Sequence, residues 1–161
     1  MRVEIKNLSK SFKNTQIIKK TTLEFNSGNI YGIIGRNGSG KSVFFKMLCG
    51  FYKPTTGTIT YDDKNYYKNN EFPNCVRALI EKPSFLPNLT GYENLELLAS
   101  IQNKISEEDI LQTLEDVNLL EEKDKLYSEY SLGMKQKLGI AQAIMEKTDV
   151  IILDEPSNGI E

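Results

Sequence analysis

The sequence predicts an α/β fold with a mainly parallel sheet, and two observations lead to this prediction. Residues 30–34 form a short apolar segment that runs directly into the glycine-rich residues 35–42, and residues 43–49 have the pattern of a helix. Farther along, the β-branched residues 150–153 have the pattern of a buried strand. Strands that alternate with helices are typical of a parallel sheet.

The first part of the chain also predicts a small antiparallel layer. Apolar residues alternate with polar ones over residues 3–8, and residues 21–25 continue the pattern, so we expect two strands paired across the polar turn at residues 13–16. Residues 58–61 are predicted to form another strand. Residues 75–80 are apolar enough for a strand that is buried on both faces.

Helix signals dominate the region that follows, which predicts a helical subdomain over about residues 88–145. Thr90 begins a capping box ahead of one amphipathic helix, and Ser106 begins a similar pattern ahead of a second. Ser131 is in position to cap a third helix.

Composition and charge exclude several classes of protein. The 161 residues correspond to one domain, since a domain has roughly 150 residues. Lys and Arg total 20 and Asp and Glu total 22, so we expect no nucleic-acid partner. Two cysteines and no signal-peptide pattern predict a reduced, cytoplasmic chain. The aliphatic runs are far shorter than the roughly 20 residues of a membrane-spanning helix, so membrane association requires a partner.

Residues 35–42 match the pattern G-x-x-x-x-G-K-[ST], in which backbone N–H groups surround phosphate oxygens at the positive end of a helix. Lys41 can reach the β and γ phosphates, and the Ser42 hydroxyl can bind Mg²⁺. The alternative is an ordinary glycine-rich turn before a lysine, but the predicted strand and helix around the loop favour phosphate binding. The candidate nucleotide-binding residues here are Gly35, Asn37, Gly38, Ser39, Gly40, Lys41 and Ser42.

Two acidic residues follow the apolar residues 150–153. Asp154 is where a carboxylate at the end of a strand can hold Mg²⁺, and Glu155 follows it directly. Because side chains alternate along a strand, one carboxylate can hold the metal while the other orients or deprotonates water. An ordinary strand end is the alternative, and the glycine-rich loop elsewhere in the chain argues against it.

A third motif makes the resemblance specific. Residues 130–134 read YSLGM and lie 23 residues before Asp154, counted from Ser131. With the glycine-rich loop and the acidic strand end, they resemble the signature of the ATP-binding cassette (ABC) transporter nucleotide-binding subunit. Ser131 and Gly133 match that signature, and in the family they contact the γ phosphate held by the opposite subunit. Leu132 and Met134 depart from the family's glycine and glutamine, and a plain helix cap is the alternative role for Ser131.

Weaker correspondences extend this resemblance. Phe12 is where the family has an aromatic residue that stacks on adenine, although core packing is the alternative. Glu81 replaces a glutamine that senses Mg²⁺ and contacts the membrane partner, and a glutamate still offers an oxygen ligand. With Glu81, residues 85–95 resemble the subgroup that exports bacitracin-like and lantibiotic peptides. Residues 157–161 resemble the family's D-loop, with Glu161 in the place of an aspartate.

The sequence has no histidine, whereas the family continues past the D-loop into a strand and a switch histidine. The resemblance therefore implies a P-loop NTPase core whose C-terminal strands are missing, in an ATP-binding domain over residues 1–161 that is C-terminally incomplete. In related P-loop ATPases that strand lies between the two predicted strands at residues 30–34 and 150–153. We expect the chain alone to be inactive in ATP hydrolysis.

The resemblance implies a function, cofactors and partners. Two nucleotide-binding subunits, identical or paired with a second kind, would hold ATP and Mg²⁺ at their interface and power export through a membrane permease at the inner face of the membrane. In this resemblance, phosphate and metal would be bound by Lys41, Ser42, Asp154 and Glu81. Glu155 would act on the attacking water. Two alternatives remain: a nucleotide-binding remnant without turnover, and a soluble ABC protein that acts on ribosomes or DNA.

Overall fold

The computed structural model describes residues 1–157, which fall in two compact units, Met1–Val76 and Arg77–Glu161. We describe each unit by itself. The predicted D-loop residues 158–161 lie outside the described residues, and of that motif only Ser157 is described.

The first unit is built on a three-stranded antiparallel sheet with the order β2-β1-β3. The strands are β1 (Arg2–Phe12), β2 (Thr15–Asn26) and β3 (Thr56–Tyr61). Val3 and Ile5 of β1 are buried because alternate residues of a strand share one face. Leu8 is also fully buried, although it is three residues from Ile5, because the strand has a register shift between them. The structure confirms the predicted antiparallel layer.

One helix completes the first unit. Helix α1 (Lys41–Leu48) begins directly after Gly40, and its buried residues include Phe44 and Met47. The helix ends at Cys49 and Gly50, and Gly50 has a φ of 86°. The predicted helix over residues 43–49 is confirmed, with a start two residues earlier. A short 3-10 helix (Tyr66–Asn69) lies in the polar segment that follows β3.

Residues 30–34 do not form the predicted strand. The structure assigns no strand to residues 27–40, and the side chains of Ile30 and Ile34 are 102% and 98% exposed. A strand makes its backbone hydrogen bonds only with a neighbouring strand, and none of the described strands pairs with this segment. An apolar pattern alone therefore does not place these residues in a sheet.

The second unit combines a two-stranded parallel sheet with helices. Strand β4 (Val76–Leu79) begins at the boundary between the units and pairs with β5 (Val150–Leu153). The helices are α2 (Gly91–Gln102), α3 (Glu107–Asp116) and α4 (Leu132–Ile144), with short 3-10 helices at Leu120–Glu122 and Tyr127–Glu129. This arrangement confirms the α/β fold, and β4 and β5 are the strands of the predicted parallel sheet that the structure describes.

The three helices α2, α3 and α4 share one apolar core. Leu95, Leu114 and Leu138, one from each helix, are fully buried there. Thr90 and Ser106 both form capping boxes, in which the side chain accepts a hydrogen bond from the third residue of the helix and that residue's carboxylate accepts one in return. Both predicted caps are confirmed. Within residues 1–157, no helix has the length and apolar character needed to cross a bilayer.

Candidate functional site

The glycine-rich residues 35–42 fold into a tight loop ahead of α1. Asn37 and Gly38 form an exposed turn, and the Ser39 N–H donates to the Arg36 carbonyl at 3.1 Å. Gly40 has a φ of 96°, and a Cβ atom there would lie 2.8 Å from Ile18 Cδ1. A Cβ atom on Gly35 would lie 2.5 Å from Ser39 Oγ. Gly40 therefore suits the left-handed backbone there, which strains other residues, whereas a side chain at position 35 would displace the Ser39 hydroxyl.

The start of α1 suits an anion. Gly40 provides no side-chain cap, and the first turn contains no acidic residue. The first N–H groups of a helix have no acceptor within it, and the helix dipole favours negative charge at this end. Lys41 adds a full positive charge. Its Nζ donates to the Gly35 carbonyl at 2.9 Å, which holds this charge against the loop. Phosphate is the ligand that such a helix start and loop bind.

An open pocket of about 290 Å³ adjoins this loop within the first unit. Ile18 and Leu23 of β2 and Phe44 of α1 give it an apolar wall, and the loop lines the rest. The exposed Ile34 also lines it. The pocket therefore has both polar and apolar lining residues, as is common in ligand sites.

Phe12 lies at the hairpin end of β1, opposite Thr15 of β2, and is 39% exposed. The second strand of this hairpin touches the glycine-rich loop, because Ile17 and Ile18 of β2 contact Gly40. The structure thus brings Phe12 to the same side of the first unit as the loop. Its exposure leaves ring surface accessible for a base.

In the second unit, three predicted residues follow neighbouring parallel strands. Asp154 comes directly after β5, and its backbone N–H donates to the Leu79 carbonyl at the end of β4 at 2.8 Å. Glu81 follows β4 by two residues. Glu81, Asp154 and Glu155 therefore all follow the C-terminal ends of the two parallel strands. Glu81 and Glu155 have positive φ values of 69° and 50°, and left-handed backbone outside glycine is common at functional turns.

Ser131 and Gly133 lie at the start of α4. Ser131 is the N-cap, and its Oγ accepts a hydrogen bond from the Met134 N–H at 3.2 Å. Ser131 therefore caps α4. This role is compatible with a ligand contact, because the hydroxyl still has a proton to donate. Gly133 lies in the first helical turn, and its neighbour Leu132 is 64% exposed.

The residues present fit ATP and Mg²⁺. The glycine-rich loop with the Lys41 ammonium held against it is the kind of site that binds phosphate. Ser42 in the first unit and Asp154 in the second each carry a hard oxygen ligand of the kind Mg²⁺ prefers. Among residues 1–157, no three His, Cys, Asp or Glu side chains form a cluster that could hold a metal ion. Each of these residues would hold a magnesium ion only together with further oxygen ligands, such as those of phosphate and water.

Sequence patterns did not reveal two buried polar contacts of the second unit. Gln136 of α4 is 6% exposed, and its Nε2 donates to the Pro156 carbonyl just after Glu155 at 3.3 Å. Arg77 of β4 forms an ion pair with Glu146, with an Nε to Oε2 distance of 2.6 Å. Gln136 lies beside the predicted signature, which is a signal that could have drawn attention to it. The Arg77–Glu146 pair joins residues 69 positions apart, which no local pattern reports.

Comparison with known proteins places the chain in a family. The profile of the ABC transporter family matches residues 18–158. A bacitracin transport ATP-binding protein, BcrA of Enterococcus faecalis, is 44% identical over 160 residues, which is 99% of this chain and 52% of that protein. The lantibiotic transport ATP-binding protein SrtF of Streptococcus pyogenes is 33% identical over 99% of this chain and 68% of its own length. The chain thus spans about half the length of BcrA.

Solved structures agree with this placement. The structure of an ATP-binding subunit of an ABC transporter superposes with a TM-score of 0.86 at 26% identity, over 100% of this chain and 69% of that one. A putative ABC transporter ATP-binding protein from Pyrococcus furiosus has the same fold, with a TM-score of 0.88 at 23% identity over 100% of this chain and 78% of that one. The chain belongs to the ABC transporter family.

Proposed function

We propose that this chain is the ATP-binding part of an ABC exporter for bacitracin-like or lantibiotic peptides. The observation that carries the proposal is the phosphate loop at residues 35–42, with the Lys41 ammonium against the Gly35 carbonyl and no acidic side chain in the first turn of α1. The names of the relatives BcrA and SrtF support the peptide class.

The residues of the first unit would bind the nucleotide. The N–H groups of the loop and the Lys41 ammonium neutralise phosphate charge, and the Ser42 hydroxyl offers an oxygen to Mg²⁺. Phe12 offers its ring to the base. Bound Mg²⁺ would supply positive charge that stabilises the phosphate oxygens during transfer to water.

Asp154 and Glu81 would contribute oxygen ligands for the metal, and Glu155 would orient and deprotonate the attacking water as general base. Ser131 and Gly133, at the start of α4, would contact the nucleotide of a second ATP-binding subunit, identical or different, because the start of a helix favours anions. A membrane permease would hold the pair at the inner face of the membrane.

A second candidate function is nucleotide binding without turnover. The position of residues 30–34 favours it, because the segment that leads into the phosphate loop is exposed and lies outside both described sheets. Hydrolysis demands tighter placement than binding, and a displacement of 1 Å can cost about a hundredfold in rate. Phosphate release measured on the purified chain, with Lys41→Ala to exclude contaminating ATPases, separates the two functions.

Titration calorimetry with Mg-ATP tests the binding itself. Lys41→Ala removes a charge-assisted contact worth about 1.5 to 3 kcal/mol, so the affinity falls at least about tenfold. Lys20→Ala is the matched control, since it removes the same charge from an exposed position on β2 of the same unit. Equal affinities for the parent chain and Lys41→Ala would show that the loop does not bind phosphate.

A further inference from the structure

The ring of Phe12 belongs to a small aromatic cluster on the first unit. Tyr52 packs against it in a T-shaped arrangement, with ring centroids 5.3 Å apart and planes at 77°. The Lys10 ammonium lies 4.7 Å from the Phe12 centroid and 5.6 Å from the Tyr52 centroid. Two side chains of β1 and one that lies 40 residues farther along the sequence therefore meet at one point.

Each partner of Phe12 is itself held in place. Lys10 Nζ donates to the Lys53 carbonyl at 2.7 Å, which fixes the end of a side chain that otherwise has many rotamers. The Tyr52 backbone N–H donates to the Lys46 carbonyl at 3.3 Å, in the last turn of α1, and the Lys46 ammonium lies 5.9 Å from the Tyr52 centroid. The cluster thus rests on a strand and on the end of a helix.

Helix α1 connects this cluster to the phosphate loop. The loop precedes the first residue of α1, Lys41, and Tyr52 follows its last turn. Eight residues of helix rise about 12 Å, so one short rigid element separates the phosphate end from the aromatic end. The contact of Ile17 and Ile18 with Gly40 is a second connection between the hairpin and the loop.

The packing restricts the orientation of the Phe12 ring. A T-shaped ring pair and a cation over an aromatic face each stabilise their arrangement beyond the area they bury. The ring nevertheless remains 39% exposed. A flat ligand that stacks on a ring already held in one rotamer avoids the entropic cost of ordering it.

We propose that Tyr52, with Lys10, is a positioning residue for the base of the bound nucleotide: it holds the ring of Phe12 in the orientation in which a purine stacks on it. This inference rests on the proposed nucleotide binding and adds a residue that acts through Phe12. Tyr52 contributes to the affinity for the base and leaves the affinity for the phosphates unchanged.

The test compares two ligands on the purified chain by calorimetry, in the presence of Mg²⁺. ATP carries base and phosphates, whereas inorganic tripolyphosphate carries phosphates alone. For Tyr52→Leu we expect ATP affinity to fall about two- to tenfold, the range that the T-shaped pair implies, and tripolyphosphate affinity to stay within the error of measurement. Tyr52→Phe keeps the ring and retains the parent affinity for ATP. A purely structural role would lower the affinity for both ligands together.

A second variant keeps the proposal testable if Tyr52→Leu does not fold. Lys10→Met removes the cation from the cluster and keeps a long apolar side chain, so ATP affinity falls about two- to fivefold with no change for tripolyphosphate. Parent-like ATP affinity in either folded variant, while Lys41→Ala weakens both ligands, overturns the role of Tyr52 and leaves the proposed function standing. If the parent chain binds neither ligand, the proposed function and this inference both fail.

Discussion

The helices α2–α4 and the segment at residues 30–34 both carry large apolar side chains, yet they bury them to opposite extents. Leu95, Leu114 and Leu138 are fully buried in the helical unit, whereas Ile30 and Ile34 are 102% and 98% exposed. A helix satisfies its backbone hydrogen bonds within itself, so it needs partners only for its side chains. A strand needs a partner for its backbone as well. Equal hydrophobicity therefore leads to burial in one region and to exposure in the other.

Truncation of a helical core residue is expected to have the largest effect on stability. Leu138 is fully buried between the helices, and Leu138→Ala should lower the free energy of unfolding by about 2 to 5 kcal/mol through lost burial and a residual cavity. Denaturant unfolding followed by helical circular dichroism measures this change. Leu97→Ala on α2 is the control, because Leu97 is 48% exposed. Equal losses for both variants would mean that the core is not packed as described.

Removal of a cap tests whether local hydrogen bonds support the same helical unit. The Thr90 side chain accepts from the Glu93 N–H at 3.1 Å, and the Glu93 carboxylate accepts from the Thr90 N–H at 2.7 Å. Thr90→Ala should cost about 1 kcal/mol, within a range of about 0.5 to 2. Thr90→Ser keeps the acceptor oxygen and should recover most of the loss, as measured in the same unfolding experiment. A loss shared by both variants would assign the effect to the methyl group of threonine.

Acid should weaken the helical unit through Asp109. The side-chain hydrogen bond from Lys147, together with hydrogen bonds from Ser106, lowers the pKa of Asp109 from 3.8 to about 2. The ionised carboxylate therefore contributes stability that is fully present above pH 3.8 and is lost as the pH falls toward 2. Unfolding curves between pH 5 and 2 should show a steeper fall for the parent chain than for Asp109→Asn. Parallel curves would show that Asp109 is not ionised more easily in the folded chain.

The smallest effect is expected in the segment at residues 30–34. Ile30 buries no surface, so Ile30→Ser should change the free energy of unfolding by less than about 0.5 kcal/mol. Met47→Ser in the same unit, at a fully buried position, is the contrasting variant. A large loss for Ile30→Ser would show that this segment packs against a partner in solution, and it would remove the contrast with the helical unit.

Much of the fold could be predicted because its signals are local. The strands β1 to β5 all follow from alternation or apolar runs, and the caps at Thr90, Ser106 and Ser131 follow from residues three positions apart. The glycine-rich loop ahead of α1 could also be predicted, since the helix start and the glycine positions are contiguous in sequence, and its role in phosphate binding stays a prediction. The roles of Phe12, Glu81, Asp154 and Glu155 stay predictions that the binding and phosphate-release experiments address.

The sequence by itself determined where helices begin, where the glycine-rich loop lies and which family the motifs resemble, because caps, turn residues and motif spacing act over a few residues. Only the tertiary structure decided that Tyr52 packs on Phe12, 40 positions away, that Gln136 reaches the Pro156 carbonyl, and that residues 30–34 stay outside both described sheets. These outcomes depend on which distant groups meet after folding. A strand in particular needs a neighbouring strand for its backbone hydrogen bonds, and its own sequence does not indicate which strand that is.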